Sequence, residues 1–459
     1  MTHPPTGTAA PTAPARPTAW AEGLDRLRAG SATEPGRLRI IGALLAVLVA
    51  AFGGVTAWQT SEREAAADDV VRRSQPLSAD AASIHRSLAD ADTSAAAGFL
   101  AGGQWPPEVR QRYERDIDTA SALLVKAAAN SEGSGSARRR IATLNEELPV
   151  YTGLIEQARA NNRQGLPLGG AYLRYANERM RTRLLPAARA LYEAETARLE
   201  ADYTAATVWP WAALGTGAAT LGALGWAQRR EFLRTNRVFS HGLLAATGAT
   251  AVVLLWLGAG HALAAAGLHE SRDSGARSLQ VLNEARTGSL QARGDESLTL
   301  VARGAVLTPD GRDFYETGYR ARMAELAGRG TGAAGRGSLL DRAQRLADDA
   351  AGRDPVRKAA AEVRVWQRRH AEARKTDEGG AYEDAVQRVI GSGDTTGASF
   401  DRVDAALASA VTHEQREFRR AADRGRGAFT GLPAGAAVLA LLGAAAALLG
   451  IGRRLSEYR

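Results

Sequence analysis

Four stretches of the chain stay apolar for about 20 residues each, long enough as helices to cross a hydrocarbon core of ~30 Å. They run from Leu38 to Trp58, Val208 to Ala227, Leu243 to Gly267 and Ala428 to Ile451, with no Asp, Glu, Lys or Arg at their centres. With no water to satisfy the backbone in lipid, each is expected to be a helix. Between the blocks, apolar residues recur at every third or fourth position. Leu173, Ala176, Met180, Leu184, Ala187, Leu191 and Ala194 form one such stripe, and Phe400, Val403, Leu407, Val411 and Phe418 another. The pattern predicts an all-α integral membrane protein with four transmembrane helices and two extracytoplasmic helical domains resembling four-helix bundles.

The predicted order is a disordered cytoplasmic tail over 1–37, a first span over 38–58 and a first outer domain over 60–206. A second span over 208–227, a cytoplasmic arginine-rich loop over 228–242 and a third span over 243–267 follow. The second outer domain covers 268–427, the fourth span 428–451 and a cytoplasmic tail 452–459. The first block is too long and too far from residue 1 to read as a cleavable signal peptide. Orientation comes from arginine in the short segments. Arg26, Arg28, Arg37 and Arg39 precede the first span, Arg229, Arg230, Arg234 and Arg237 lie between the second and third, and Arg453, Arg454 and Arg459 follow the fourth. All three segments are expected in the cytoplasm, which places the protein in the plasma membrane as a multi-pass chain with both termini inside. Arg419, Arg420, Arg424 and Arg426, just outside the fourth span, run against the rule. Trp58, Trp209, Trp211 and Trp226 fall at expected interfaces.

The two outer regions also resemble each other. Pro107, Tyr113 and Glu114 match Pro309, Tyr315 and Glu316 at an offset of 202 residues. A GGAY motif occurs at Gly169, Gly170 and Tyr172 and again at Gly379, Gly380 and Tyr382, offset by 210 residues. An internal duplication accounts for both. If each first helix climbs from the membrane, both motifs decorate the distal tips. Gly-Gly would then supply left-handed turn conformers and Pro the first turn of the next helix. The competing expectation is a docking surface for a partner at the ten proline, glycine and tyrosine positions of these motifs.

Composition narrows the function. The net charge of +8 suggests nucleic acid at first sight, but arginines alternate with acids along helical stretches and no aromatic–basic platform occurs, so no nucleic-acid partner is expected. With no cysteine, a disulfide scaffold, thiolate metal site or thiol nucleophile is excluded. The seven histidines show no metal-ligand spacing, and no phosphate loop, nucleophile elbow or dinucleotide fingerprint is present. No catalytic, cofactor-binding or metal-ligating residue is therefore assigned, and no cofactor is expected. The cytoplasmic segments are too short for an enzymatic output domain. Trp20, Leu24 and Leu27 recur at helical spacing as a surface-anchor helix, and Thr6, Thr8, Thr12 and Thr18 are candidate phosphate acceptors. Pro186 and Pro210 are candidate pivots.

Four spans, two outer helical domains of similar size and the inner loop carrying Arg229, Arg230, Arg234 and Arg237 resemble the actinobacterial GlnX-type membrane proteins. That resemblance implies a transducer between an amino-acid-binding lipoprotein outside and a soluble serine/threonine protein kinase inside, linked to extracellular acidic amino acids. It makes the four arginines the candidate contact for the cytoplasmic partner. The outer bundles are also similar to the sensor bundles of chemoreceptors and histidine kinases. The expected function is thus a non-enzymatic transmembrane sensor, with membrane lipid as a partner and a homodimer as a candidate assembly. An envelope scaffold and an accessory transporter subunit are the alternatives.

Overall fold

The computed structural model describes residues 34–130, 135–235, 240–329 and 334–456. The expected tail features at Thr6, Thr8, Thr12, Thr18, Trp20, Leu24, Arg26, Leu27 and Arg28 lie outside the described residues, as do Arg237 and Arg459. Among the described residues every named element is helical, and one isolated bridge joins Leu307 and Asp313 in a connecting turn. They form two compact units, Met1–Ser61 with Trp209–Gly260 and Gly431–Arg459, and Glu62–Val208 with His261–Thr430.

The first unit contains the apolar part of α1 (Glu34–Asp69), α7 (Trp211–Thr235), the first part of α8 (His241–Glu270) and α15 (Leu432–Ser456). Leu45 and Val49 of α1 pack with Leu224 of α7, Leu243 and Ala246 of α8, and Ala440, Ala447 and Ile451 of α15. Glycine permits the closest approaches, as expected where lipid supplies no hydrophobic drive for helices to associate. A methyl group at Gly242 would overlap the backbone of Ala446 and Gly450, and one at Gly217 would lie 2.7 Å from the Phe52 ring. Leu44, Val47, Leu255, Leu441 and Leu449 point outward and are exposed. So are Trp58, Trp209, Trp211 and Trp226.

Three helices are long and apolar enough to cross a membrane: Gly36–Leu100, His241–Glu270 and Thr396–Arg453. The second expected span does fold as helix α7, but it is not among them. Gly215, Thr216, Gly217, Thr220, Gly222 and Gly225 dilute its apolar content. It begins at Trp211, since Pro210 cannot continue a hydrogen-bonded turn. The loop expected over 228–242 is shorter than its sequence suggested, because α7 runs on to Thr235 and holds Arg229 and Arg230 on helix. Arg234 belongs to the same helix.

In the second unit, α2 (Gln75–Leu100) and α9 (Arg277–Ala302) pack against each other at the centre. Both are buried nearly all round in their C-terminal halves, Ser87–Ala96 and Ala292–Leu300. Small residues make this contact possible. Gly294 faces Thr93 across the interface, and the Thr93 hydroxyl lies 2.8 Å from both the Leu290 carbonyl of α9 and the Ala89 carbonyl of its own helix, sharing its one hydrogen between them. The first half adds α3 (Pro107–Ala129), α4 (Gly135–Arg163), α5 (Leu168–Arg179) and α6 (Leu185–Thr207). The second adds α10 (Phe314–Ala327), α11 (Leu339–Leu346), α12 (Ala350–Glu378), α13 (Tyr382–Ile390) and α14 (Thr396–Gly427). The sequence suggested two separate bundles of four; in the structure the two halves share one core through α2 and α9, and the second half carries an additional short helix, α11.

π turns interrupt the helices at Val70–Ser74, Met180–Leu184 and Ser271–Ala276. The first two are followed by Pro76 and Pro186, each at the second position of the continuing helix. Proline has no N–H and crowds the preceding turn, so widening that turn by one residue relieves both problems. Pro186 is thus accommodated within a continuous helix.

Candidate functional site

Both ends of the second unit are defined by contacts. At one end Arg63 Nε donates to the Val208 carbonyl at 2.8 Å, Arg426 pairs with Asp68 at 2.9 Å, and the His261 and Phe429 rings lie 6.2 Å apart. At the other end α2 and α9 terminate at Leu100 and Ala302, and the repeated motifs gather there.

Those motifs are used differently in the two halves. Pro107 starts α3 as expected, but Pro309 sits in a tight turn ahead of α10, whose N-cap is Asp313. Asp313 Oδ1 accepts from Glu316 N at 2.8 Å. Gly169 and Gly170 lie inside the first turn of α5, while the preceding turn takes its left-handed residue from Gly165, with φ at 67°. What requires glycine at 169 is packing: a Cβ would be 3.0 Å from the Ala158 carbonyl and 3.2 Å from the Phe99 ring. In the second copy Gly379 caps α12 and Gly380 has φ of 86°, the role expected of both. Tyr113 and Tyr315 are buried, against Trp105 and Phe314 respectively in edge-on contacts. Tyr172 is half-buried against the core, and Tyr382 lies under the Arg303 guanidinium at 3.6 Å. Asn162 ties the first tip together by donating to the carbonyls of Phe99 and Gly102. Packing thus accounts for Tyr113, Gly169 and Tyr315.

The polar chemistry lies instead along α2 and α9. A cavity of about 490 Å³ lies between α2, α5 and α6 on one side and α9 and α10 on the other. Its floor holds Asp92 and Asp295. Asn177 Nδ2 donates to Asp92 Oδ2 at 2.7 Å and the Tyr151 hydroxyl approaches Oδ1 at 3.3 Å. Arg181, from the π turn between α5 and α6, reaches Asp295 at 3.2 Å and stacks over Phe314 at 4.6 Å. Burial penalises both carboxylates, pushing Asp92 up to about 6 and Asp295 up to about 7.

A second polar cluster lies within the second half. His370 of α12 bridges Glu296 Oε1 at 2.9 Å and Glu316 Oε2 at 3.1 Å, stacking on Tyr319 at 3.7 Å. Arg293 pairs with Glu296 at 2.5 Å, and the Trp366 indole donates to the same carboxylate at 3.2 Å. Burial opposes charge on His370, but the two carboxylates overcome it and raise the imidazole to about 8. Burial also opposes charge on Glu316, and the hydrogen bonds and positive charges of His370 and Arg320 together outweigh that and bring it down to about 2. A third network crosses the halves: Arg112 of α3 joins Asp90 at 2.8 Å and Asp401 at 3.4 Å, and Arg286 joins Asp404 at 2.9 Å. At the surface, His413 lies 3.2 Å from Asp349 and 3.4 Å from Glu417, with Asp349 already capping α12 through Gly352 N.

Of these acids the sequence pointed only to Glu316, and that as part of the repeat rather than as a site. A signal was there: Asp90 and Asp92 interrupt the alanine-rich end of one helix, and Asp295-Glu296 sits within SLQARGDESLTLV, where small and apolar residues surround the acids. Charges at such positions are rare without partners.

Residues 66–204 match a protein-family model described as an actinobacterial sensor domain. The matched segment contains Asp92, Asn177, Arg181 and Arg189, the first-half wall of the cavity, and indicates a sensor role for this part of the chain. No curated protein and no solved structure matches the chain.

Proposed function

We propose that the protein is a non-enzymatic transmembrane sensor that relays an extracytoplasmic signal to a soluble cytoplasmic partner. The match of residues 66–204 to an actinobacterial sensor domain carries this reading. In it, the chain crosses the plasma membrane four times with both termini in the cytoplasm, α7 supplying the weakly apolar span. The GlnX-type resemblance supplies the outer partner, an amino-acid-binding lipoprotein docking at the tips, and the inner one, a serine/threonine kinase meeting Arg229, Arg230, Arg234 and Arg237. Helix continuity supports a mechanical route, since an uninterrupted helical stretch runs from Gly36 to Leu100 through the π turn at Val70–Ser74, whereas α14 and α15 are parted by a turn at 428–431. Any input acts through differential affinity for two arrangements of those helices. Duplication of an ancestral half is part of the same reading, supported by π turns at Val70–Ser74 and Ser271–Ala276 ahead of the two central helices.

The test is an affinity purification from detergent-solubilised membranes with and without extracellular glutamate or aspartate. Recovery of a solute-binding lipoprotein and a cytosolic kinase, with ligand-dependent yield, is the expected result. Recovery of envelope-assembly proteins alone, unchanged by ligand, would refute the relay in favour of a scaffold.

A further inference from the structure

The cavity between the two halves has an unbalanced charge inventory. Three guanidiniums face it, and each already has a carboxylate: Arg181 with Asp295 at 3.2 Å, Arg189 with Glu193 at 2.9 Å and Arg322 with Glu325 at 3.6 Å. Two carboxylates are left over. Asp92 is held by the neutral groups of Asn177 and Tyr151, and Glu284 takes an amide hydrogen bond from Gln280 at 3.2 Å. His85 does not offset them, because burial and then Arg189 hold it down at about 4, neutral at physiological pH.

The surplus negative charge is split between two ends. Asp295 and Glu284 are eleven residues apart on α9, ~16 Å along the helix axis at the α-helical rise. Between them Ala82, Ala89, Leu185 and Gly288 supply apolar surface, interspersed with the neutral polar groups of His85, Thr287 and Gln291. The cavity also grades from open to closed: the Arg189 and Glu193 side chains are 68% and 62% exposed, whereas that of Asp295 is 8% exposed. A volume of about 490 Å³ is far larger than a bare metal ion requires and falls in the range of small-molecule pockets.

We propose that this cavity binds an elongated organic cation of the linear polyamine class. One amine seats against Asp92 and Asp295, a second against Glu284 and Glu193, and the methylene chain lies along Ala89, Leu185 and Gly288. The proposal names a direct input for the sensor and rests on the sensor reading only for its signalling consequence. Charge regulation gives it a second readout. Asp92 and Asp295 are raised by burial, with Arg181 of the π turn and Arg322 of α10 facing Asp295, and Tyr151, Asn177 and Arg181 facing Asp92. A seated ammonium favours both ionised carboxylates, so binding at a pH between their two values releases protons.

The experiment is calorimetric titration of spermidine into the full chain in lipid nanodiscs, at that pH, in two buffers of different ionisation enthalpy. Saturable binding with net proton release is expected. Asp92→Asn and Glu284→Gln should each weaken it about tenfold or more, as loss of a charge-assisted hydrogen bond does. Glu284 is only half-buried, so Glu284→Gln decides the matter even if Asp92→Asn impairs folding. Absence of saturable binding, unchanged affinity in Glu284→Gln, or displacement of spermidine by glutamate overturns the proposal. A Leu233→Cys reporter in the same samples separates this from the relay. Spermidine binding without a change in thiol labelling refutes the relay and leaves the binding site standing, whereas a labelling response to glutamate with no spermidine binding refutes the site alone.

Discussion

Replacing His370 with glutamine tests how the second half is held together. His370 is 7% exposed and joins Glu296 to Glu316, and its raised value of about 8 exceeds the usual 6.5. A folded-state value above the unfolded one means that the protonated imidazole stabilises the fold fully below pH 6.5, and that this stability is lost as pH rises through about 8. The difference amounts to about 2 kcal/mol. Glu316 has the opposite sign: brought down to about 2, it contributes stability that is present above pH 4.5 and lost as pH falls through about 2. His370→Gln also leaves Glu296 and Glu316 short of a charged partner, so the total loss near pH 6 should be ~3–5 kcal/mol. Asp295, Glu414 and Asp92, raised by burial to about 7, about 7 and about 6, lose stability over overlapping ranges, so the wild-type curve alone is not diagnostic. The assay is urea denaturation of the full chain in mild detergent, followed by circular dichroism at several pH values from 6 to 9. The expected signature is a gap between wild type and His370→Gln that narrows by about 2 kcal/mol as pH rises. A gap of constant size across the series would refute the assignment of a protonated His370.

At the first tip, Tyr113 has a buried hydroxyl without a hydrogen-bond partner, so Tyr113→Phe should leave stability unchanged or raise it by up to about 1 kcal/mol in thermal unfolding. Gly169→Val should cost about 1–3 kcal/mol in the same measurement, because its Cβ meets the Ala158 carbonyl at 3.0 Å. In the membrane unit, Gly242→Leu should drive α8 from α15 and lower the yield of folded protein in detergent, while Gly248→Leu, with nothing nearby to meet, should not. For topology, single cysteines placed at Ser136 and Leu233 of this cysteine-free chain should label from opposite sides of the membrane. Labelling of both from one side would eliminate the four-span reading.

Helix content and the apolar segments were legible in the sequence because each is a local property: a 3.6-residue stripe or an uncharged run of about 20 residues needs no distant partner to be recognised. The positions of Pro76 and Pro186 likewise mark local widening of the helix. The sequence was less decisive for α7, where Gly and Thr serve packing as well as solvation, so composition alone understates a helix that fits tightly against Phe52 and Leu254. The repeated Pro-Tyr and GGAY motifs were visible too, but matching letters did not mean matching roles. Gly169 answers to a close backbone approach and Gly380 to a left-handed turn, a distinction fixed by which atoms lie opposite. Only tertiary structure could join the two outer segments in one core, because that depends on α2 and α9, 202 residues apart at their first residues, meeting through Thr93 and Gly294. The same meeting decides the chemistry. Asp92 and Asp295 are ordinary acids along the chain, and become raised, partnered carboxylates on a cavity floor once that contact removes them from water.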